Sequence, residues 1–247
     1  MLEIAQVSKS FQHGNGRAML AVSDLNLTVR EGEFVCVVGT SGCGKTTTLR
    51  MVAGLEIPSS GSIILDCQAI QGPGVERCVV FQRYTLYPWR SVLDNVAFGL
   101  EVRGMGRRER RERAGQCLDL VGLADQAGAY PHQLSGGMQQ RVAVARALAV
   151  QPRVLLMDEP FGALDARTRV ALQCELVKIW EKERKTILFI THSIAEAVSL
   201  ADRVVVMRSN PGRITDVLDI DIPRPRDRHS RAFREYHAAI HALLDQD

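Results

Sequence analysis

The chain has 247 residues, 31 basic and 28 acidic side chains and a net charge of +3. A chain of this length can bury a stable core without disulfide bonds or a structural metal, and its composition excludes a disordered or collagen-like protein. The charge excess arises in residues 107–113 (RRERRER), which hold five arginines and two glutamates. Because the rest of the chain is balanced in charge, we expect no nucleic-acid partner. A solvated helix face is the simplest interpretation of residues 107–113, and attraction to anionic lipid headgroups is the alternative.

The six cysteines are never spaced as a C-x-x-C pair, which excludes the common zinc and dithiol motifs. We expect them to be small buried hydrophobic residues of a protein in a reducing compartment. The N-terminus is unlike a secretory signal, because Glu3 would lie in its apolar segment. No run reaches the roughly 18 uncharged apolar residues of a membrane span. We therefore expect a soluble, cytoplasmic chain that reaches a membrane only through a partner.

The first part of the chain predicts two kinds of strand. Residues 2–7, 24–29 and 62–65 suit a small antiparallel sheet, and the second of these alternates apolar with polar residues. Residues 34–38 are instead apolar at every position, as are the later runs 154–157 and 187–190. Such runs are typical of parallel strands that are covered on both faces. Together with the helical patterns beside them, they predict a parallel α/β core.

Helical patterns fill much of the remaining chain. From about residue 86 to residue 150 strand signals vanish, which indicates a helical insertion into the core. Residues 164–184 predict an amphipathic helix with Asp165 as its N-cap. Its apolar face is formed by four residues: Leu172, Leu176, Ile179 and Trp180. A last strand is predicted at 203–207, and a C-terminal helix after the prolines at 223 and 225.

A glycine-rich segment, GTSGCGKTT, follows the first buried run. Gly39, Gly44, Lys45 and Thr46 match the spacing G-x-x-x-x-G-K-[ST]. Without Cβ atoms in the way, backbone N–H groups can close around phosphate oxygens, and the next helix adds the positive end of its dipole. The motif predicts that Lys45 reaches the β- and γ-phosphates of a nucleotide and that the Thr46 hydroxyl binds Mg²⁺. The alternative is a purely structural loop, which the preceding strand and following helix disfavour.

The second buried run ends in two adjacent carboxyl groups, within the string VLLMDEP. Two acids at the end of a buried strand are costly unless a cation or a reacting water is near them. We expect Asp158 to hold Mg²⁺ through its water shell and Glu159 to polarise the attacking water. A pair of surface residues that cap a helix is the alternative interpretation.

The segment LSGGMQQRVAVARAL, residues 134–148, resembles the signature motif of ABC-type ATPases. Its glycine pair opens a predicted helix and so forms a second anion site in the same chain. The resemblance implies an α/β fold: a P-loop NTPase core with a parallel sheet, a small N-terminal antiparallel β-subdomain and an inserted helical signature subdomain. It also implies a head-to-tail dimer in which each copy completes the ATP site of the other.

Four further residues match the motifs of this family in order. Phe11 matches the aromatic residue that stacks on adenine, Gln82 the glutamine loop, Asp165 the D-loop and His192 the switch histidine. Taken alone, a histidine at a strand end is more often a surface residue, and a phenylalanine near a strand is more often core. The joint order of the motifs favours the family. Three positions depart from its pattern: Met138 replaces a glutamine, Gly162 replaces a common serine, and the adenine-stacking residue is Phe rather than Tyr.

The resemblance assigns roles residue by residue. It implies catalysis by Lys45, Gln82, Glu159 and His192, and Mg²⁺ ligation by Thr46, Gln82 and Asp158. It implies ATP contacts by Phe11, Gly39, Ser41, Gly42, Cys43, Gly44, Lys45, Thr46, Thr47, Ser135, Gly136, Gly137 and Asp165. It covers nearly all of the chain, so we expect a single ABC ATPase domain over residues 1–247. Within it, 1–85 and 151–222 would form the β-subdomain and core, 86–150 the helical subdomain and 223–247 a tail helix.

The strings FQRYTLYPWRSVLDNVAFGL and NPGRITDVLDIDIPRPRDR are similar to those of nitrate, sulfonate and taurine importer ATPases. This similarity implies an ATPase on the inner face of the bacterial cell membrane that powers uptake of a small anion. Its partners would be integral-membrane permease subunits and, indirectly, a solute-binding protein. A coupling helix of the permease would contact Tyr87 and Trp89, for which core packing is the alternative.

Other functions stay open at this point. One is an importer ATPase for another class of substrate. A soluble ABC ATPase acting on DNA or ribosomes would be expected to carry coiled-coil insertions, zinc-type cysteine pairs or a duplicated ATPase. A nucleotide-binding module without turnover would be expected to lack Glu159 or His192, and both are present.

Overall fold

The computed structural model describes residues 1–12, 18–82, 85–162 and 164–245. The chain divides into two compact units. The first consists of Met1–Gly74 with Lys185–Asp247, and the second of Val75–Arg184.

The secondary structure, in chain order, alternates strands with helices. The strands are β1 (Leu2–Gln12), β2 (Ala18–Val29), β3 (Phe34–Gly39), β4 (Ser60–Leu65), β5 (Gln68–Ala69), β6 (Arg77–Val80), β7 (Val154–Asp158), β8 (Thr186–Thr191), β9 (Arg203–Arg208) and β10 (Arg213–Asp219). The helices are α1 (Lys45–Val52), α2 (Val92–Val102), α3 (Arg107–Leu120), α4 (Gly136–Ala149), α5 (Ala166–Glu183), α6 (Ile194–Leu200) and α7 (Arg231–Leu244). Two short 3₁₀ turns, Ala124–Gln126 and Pro131–Gln133, precede α4.

The first unit contains an antiparallel sheet of strand order β2-β1-β4-β5. β1 pairs antiparallel with β2 and with β4, which confirms the predicted sheet. Leu25, Leu27 and Val29 are buried, as the alternation in β2 predicts. The short strand β5 was not predicted, because two exposed residues carry no hydrophobic pattern.

The same unit contains the strands β10-β9-β3-β8 in that order. β3 pairs parallel with both β8 and β9, and every residue of β3 and β8 is buried. The prediction that residues 203–207 form the last strand is wrong. A turn at residues 210–212 returns the chain as β10, which pairs antiparallel with β9. In the part of the chain that the structure describes, β10 pairs with one strand, and all its residues are exposed or half-buried, so its sequence lacks a clear strand pattern.

The second unit pairs β6 parallel with β7 and otherwise consists of helices. Residues 86–150 contain no strand, as predicted, and form α2, α3, α4 and the two 3₁₀ turns. In α5 the four predicted apolar residues Leu172, Leu176, Ile179 and Trp180 are all buried. β6 was not predicted, because its four residues are too few for a periodic signal.

The C-terminal segment packs on the first unit. Phe233 and Ile240 of α7 are buried, in agreement with the predicted helical spacing. Before this helix, the Arg226 guanidinium donates hydrogen bonds to the carbonyl oxygens of residues 198, 201, 220 and 222. Burial and the neighbouring Arg224 lower the pKa of Arg226 to about 10. Within the described ranges, no helix combines the length and the apolar character needed to span a bilayer.

The cysteines are all free, and their burial divides them. Cys36, Cys43 and Cys117 are buried, as expected for small hydrophobic residues. Cys67 and Cys174 are exposed, so the expectation is wrong for these two. Cys67 follows the end of β4, and Cys174 lies on the outer side of α5.

Candidate functional site

The glycine-rich loop connects β3 to α1 and presents backbone donors. α1 begins at Lys45 with Gly44 as its N-cap at φ 93°, and no side chain of the described residues caps its first turn. By contrast, α2, α4, α5, α6 and α7 are each capped by a side chain. Because first-turn N–H groups have no partner inside their own helix, α1 directs donors and the positive end of its dipole toward the loop. This is the geometry that binds phosphate.

Gly39 occupies a position that excludes any side chain. A Cβ atom there would lie 2.4 Å from the Met207 carbonyl oxygen and 2.5 Å from Cys43 Sγ. The strand register explains the crowding, since Gly39 pairs with Met207 across β3 and β9. Cys43 fills the space on the other side, and burial raises the pKa of its thiol. The glycine is therefore required by the packing of the loop itself.

Lys45 extends into the loop. Its side-chain Nζ donates hydrogen bonds to the carbonyl oxygens of Gly39, at 2.8 Å, and Thr40, at 2.9 Å, and the residue is only 7% exposed. Thr48, one turn further, is buried and donates its hydroxyl to the Gly44 carbonyl oxygen at 2.9 Å. Thr46 is exposed. The loop thus combines a held cation with an accessible hydroxyl, as phosphate and metal binding require.

His192 belongs to the same edge of the sheet. It follows Thr191, the last residue of β8, and Thr191 pairs with Val38 in the neighbouring parallel strand β3. The glycine-rich loop follows the end of β3, and His192 follows the end of β8. Because neighbouring parallel strands end at the same edge of the sheet, the loop and His192 begin side by side. Phe11, near the end of β1, is half-buried, with Lys9 Nζ 5.0 Å from its ring centroid. The first unit therefore carries the loop, His192 and the aromatic residue.

The carboxyl groups lie at the end of the parallel pair in the second unit. β6 and β7 pair Val80 with Met157, so that Gln82 and Glu159 each follow two residues later. Asp158 and Glu159 are half-buried, and Glu159 has a left-handed backbone at φ 44°. A positive φ in a residue with a side chain is uncommon and is found most often at turns and functional sites.

The signature segment caps α4. Ser135 is its exposed N-cap, and its Oγ accepts a hydrogen bond from the Met138 N–H at 3.3 Å. Gly137 is buried, and a Cβ atom on it would lie 2.6 Å from Thr168 Cγ2 of α5. Gly136 lies between these two residues as the first residue of α4. The α4 terminus thus presents backbone donors to solvent while packing closely on α5.

Asp165 is the N-cap of α5, as predicted. Its Oδ1 accepts hydrogen bonds from the Thr168 N–H at 3.0 Å and the Arg167 N–H at 3.1 Å. The bonds from Thr168, followed by that from Arg167, lower the pKa of this carboxyl group. Asp165 is therefore ionised and fixed at an exposed helix start.

The structure groups the predicted site residues by unit. The first unit contains Phe11, Gly39, Ser41, Gly42, Cys43, Gly44, Lys45, Thr46, Thr47 and His192. The second contains Gln82, Ser135, Gly136, Gly137, Asp158, Glu159 and Asp165. Arg83, Tyr84 and Ala163 of the quoted motifs lie outside the described residues.

Thr191 and Glu196 were not among the predicted site residues, and they fix the backbone around His192. The spacing S-x-x-E of Ser193 and Glu196, a signal of a capped helix start, could have drawn attention to them.

An open groove lies elsewhere in the second unit. Its volume is about 340 Å³, and its lining includes Trp89 and Tyr130 together with four arginines and two carboxyl groups. Trp89 is 73% exposed, so the alternative that it packs in the core is wrong. Tyr87 instead packs its ring on Phe98 at a centroid distance of 4.7 Å. Residues 107–113 begin α3 and are mostly exposed, as a solvated helix face requires.

The groove carries an excess of positive charge. Its arginines are Arg90, Arg107, Arg110 and Arg111, and its carboxyl groups are Asp94 and Glu101. The hydrogen bond from Arg90, at 2.8 Å, lowers the pKa of Glu101. Arg111 pairs with Asp94 at 2.8 Å. Four cations against two anions leave the groove suited to an acidic partner.

Curated relatives resemble the chain over almost its whole length. An uncharacterized ABC transporter ATP-binding protein of Methanocaldococcus jannaschii is 54% identical over 246 residues, covering 100% of this chain and 92% of that protein. The nitrate import ATP-binding protein NrtD of a Synechocystis strain is 48% identical and covers 95% of this chain and 89% of its own length. The taurine import ATP-binding protein TauB of Sinorhizobium fredii is 49% identical, with coverage of 93% and 89%.

A solved structure and a family model agree with these relatives. The dimeric structure of the ATP-binding cassette MJ0796 in a post-hydrolysis state, bound to ADP and phosphate, matches with a TM-score of 0.78 and 32% identity. It covers 90% of this chain and 100% of that one. The family model described as ABC transporter matches residues 22–162. The chain therefore belongs to the family of ABC transporter ATPases.

Proposed function

We propose that this ATPase powers the import of a small anion through a separate membrane permease. The observation that carries the catalytic part is the loop around Lys45, where a buried ammonium group lies beside the uncapped start of α1. A cation and the backbone donors of a helix start at one point can neutralise the charge of a triphosphate. The named relatives support the transport part.

In the first unit, the proposed contacts follow the loop. Lys45 binds the β- and γ-phosphates, and the backbone N–H groups of residues 41–47 surround the phosphate oxygens. Phe11 stacks on adenine from the end of β1. His192 contacts the γ-phosphate from the neighbouring strand end.

In the second unit, Glu159 polarises the attacking water, and Gln82 orients that water. Gln82 also couples hydrolysis to the conformation of the helical region. The residues assigned to Mg²⁺ fit that ion by their chemistry, because Thr46, Gln82 and Asp158 each carry a side-chain oxygen atom, the donor that Mg²⁺ prefers. When bound with ATP, Mg²⁺ supplies charge that offsets the β- and γ-phosphates. Glu159 requires no metal to accept a proton from water, and its half-buried position favours that role.

The signature segment serves the nucleotide of a second copy. A single γ-phosphate does not need two donor clusters, and Ser135, Gly136 and Gly137 form a second one at the start of α4. We assign these residues and Asp165 to a head-to-tail dimer that encloses ATP between two chains. The dimeric cassette among the solved relatives supports this assignment.

Two measurements test the ATPase and its dimer. Lys45→Ala should weaken ATP binding and abolish steady-state hydrolysis, whereas the exposed control Lys182→Ala on α5 should change neither. Light scattering after gel filtration should show Glu159→Gln as a dimer with ATP and a monomer with ADP. Adding Ser135→Arg, which places bulk and positive charge at the α4 terminus, should remove the ATP-dependent dimer. A dimer that forms equally without nucleotide, or with Ser135→Arg, would contradict the proposal.

The groove around Trp89 is proposed to receive a coupling helix of the permease on the inner face of the cell membrane. An exposed indole is a strong anchor at interfaces, and the excess of arginines favours a helix that carries an acidic residue. Co-expression with a candidate permease, taken from the genes adjacent to this one, tests the contact. Trp89→Ala should reduce co-purification at least tenfold, and Val170→Ala, an exposed apolar residue of α5, should not.

The proposed cargo is nitrate, a sulfonate or taurine, delivered by a solute-binding protein. Ligand binding to the solute-binding protein encoded with the permease identifies it, since the ATPase itself does not contact cargo. Calorimetry with nitrate, taurine and an alkanesulfonate should give micromolar or tighter binding of one of them. Binding of a sugar or amino acid instead would assign the chain to an importer for another substrate class.

A further inference from the structure

The residues that flank His192 belong to a hydrogen-bond network that begins at the end of β8. Thr191 donates its hydroxyl to Glu196 Oε2 at 2.5 Å and accepts a hydrogen bond from the Ser193 N–H at 3.0 Å. Ser193, the N-cap of α6, accepts from the Glu196 N–H at 3.3 Å. The residues on both sides of His192 are thus tied to each other and to the first turn of α6.

This network differs from an ordinary helix start. In a capping box S-x-x-E, the glutamate side chain would accept directly from the backbone N–H of the N-cap serine. Here the Thr191 hydroxyl lies between the two groups and joins the Glu196 carboxylate to the Ser193 N–H. The relay therefore includes a residue of the strand, which a capping box alone would leave out.

Burial distinguishes the network from the residue that it surrounds. Thr191 is 1% exposed and Glu196 is 6% exposed, whereas His192 is exposed. Buried hydrogen bonds to a charged group are strong and hold their geometry. An exposed side chain has many rotamers, so its direction depends on how firmly its backbone is held.

We propose that Thr191 and Glu196 are positioning residues that direct the His192 imidazole toward the γ-phosphate. This proposal depends on the role assigned to His192 under the proposed function. Without these hydrogen bonds the backbone at residue 192 has more accessible conformations. The imidazole is then correctly placed for the γ-phosphate in a smaller fraction of enzyme–ATP complexes. ATP binding by the glycine-rich loop stays unchanged, because neither residue belongs to that loop.

The test compares Thr191→Val with Thr186→Val. Both replace a threonine of β8 that accepts a backbone N–H, from Ser193 at residue 191 and from Gly32 at residue 186. Thr191→Val should lower kcat about 10- to 100-fold, with KM for ATP changed less than about twofold. Thr186→Val should lower thermal stability to a similar extent without lowering kcat. Thr191→Ser keeps the hydroxyl and should retain most of the activity.

A double-mutant cycle combines Thr191→Val with His192→Ala. Its readout is single-turnover hydrolysis of radiolabelled ATP, since this assay measures slow rates. In the His192→Ala background, Thr191→Val should lower the single-turnover rate by less than a further factor of about three, because its effect acts through His192. The positioning role would be overturned if Thr191→Val lowered the hydrolysis rate equally with and without His192, or if Thr186→Val lowered kcat as much as Thr191→Val. Either result would leave the proposed role of His192 intact. Full turnover by His192→Ala would instead remove the role of His192 and the positioning role with it. If Thr191→Val does not fold, Glu196→Met removes the same contact in the same cycle.

Discussion

The side-chain amide of Gln82 and the carboxylate of Glu159 lie beside the same glycine. A Cβ atom on Gly162 would be 3.2 Å from Gln82 Nε2 and 3.9 Å from Glu159 Oε2. Val80 and Met157 are paired in the parallel register of β6 and β7, and Gln82 and Glu159 each follow two residues later. Their proximity therefore follows from strand pairing, and it is the arrangement that the proposed action of both groups on one water molecule requires.

Glu159→Gln should keep ATP binding and lower steady-state hydrolysis by about 10² to 10⁴, the range for loss of a general base. The amide has nearly the size of the carboxyl group but cannot accept the proton of water. Phosphate release measures turnover, and a fluorescent ATP analogue measures binding. The control Glu181→Gln, exposed on α5, should behave as the wild type. Unchanged turnover in Glu159→Gln would exclude Glu159 as the base.

Gly39→Ala should destabilise the protein, whereas Gly72→Ala should not. The new methyl group at residue 39 would lie 2.4 Å from a backbone carbonyl oxygen of β9, which cannot move without disturbing the sheet. Such overpacking costs about 1–3 kcal/mol and should lower Tm by several degrees. Among the residues that the structure describes, no atom lies within 4 Å of a Cβ placed on Gly72. Thermal unfolding of both variants checks the difference, and equal Tm values would contradict the packing of the loop.

Buried strands and glycine motifs were the parts of the structure that sequence predicts best. β3, β7 and β8 are apolar runs with no competing interpretation, and their ends place the glycine-rich loop, Glu159 and His192. β10 was missed, because an edge strand buries little and its composition resembles that of a loop. Trp89 could not be assigned from sequence either, since an aromatic residue beside a helix suits a core as well as an interface.

The relay around His192 shows a limit of a different kind. Ser193 and Glu196 have the spacing of a capping box, but Thr191 accepts the N–H that the box assigns to the glutamate. Spacing along the chain cannot distinguish these two arrangements, because the strand and the helix meet only in three dimensions. Site chemistry was thus predicted from motifs, and its supporting contacts came from the fold.

The cysteines should divide into fast and slow groups toward a thiol reagent such as Ellman's reagent at pH 8. Cys67 and Cys174 are exposed and should react first. Burial raises the pKa of Cys117 to about 11, so at pH 8 this residue is a thiol and not the reactive thiolate. Burial likewise raises the pKa of Cys36 and Cys43. We expect two fast thiols in the folded protein and six after denaturation.

The double variant Cys67→Ser with Cys174→Ser is the control for this assignment. It should lose the fast phase and keep the slow one. Raising the pH from 8 to 9 should not release Cys117, because a pKa of about 11 still leaves it protonated. Rapid reaction of a third thiol in the double variant would contradict the burial of Cys36, Cys43 and Cys117 or the raised pKa of the half-buried Cys78.

Gly137→Ala should lower stability in a way that a second substitution repairs. Its methyl group would lie 2.6 Å from Thr168 Cγ2, so the start of α4 would be pushed from α5. Thr168→Ser removes that methyl group and keeps the backbone N–H that donates to Asp165. The Tm of Gly137→Ala with Thr168→Ser should therefore return close to that of Thr168→Ser alone, and thermal unfolding of all three variants measures this coupling. Additive losses of Tm would mean that Gly137 does not pack on Thr168. We also expect Gly137→Ala to lower hydrolysis, even where Thr168→Ser restores Tm, because the added methyl group would obstruct a backbone that is proposed to approach a phosphate.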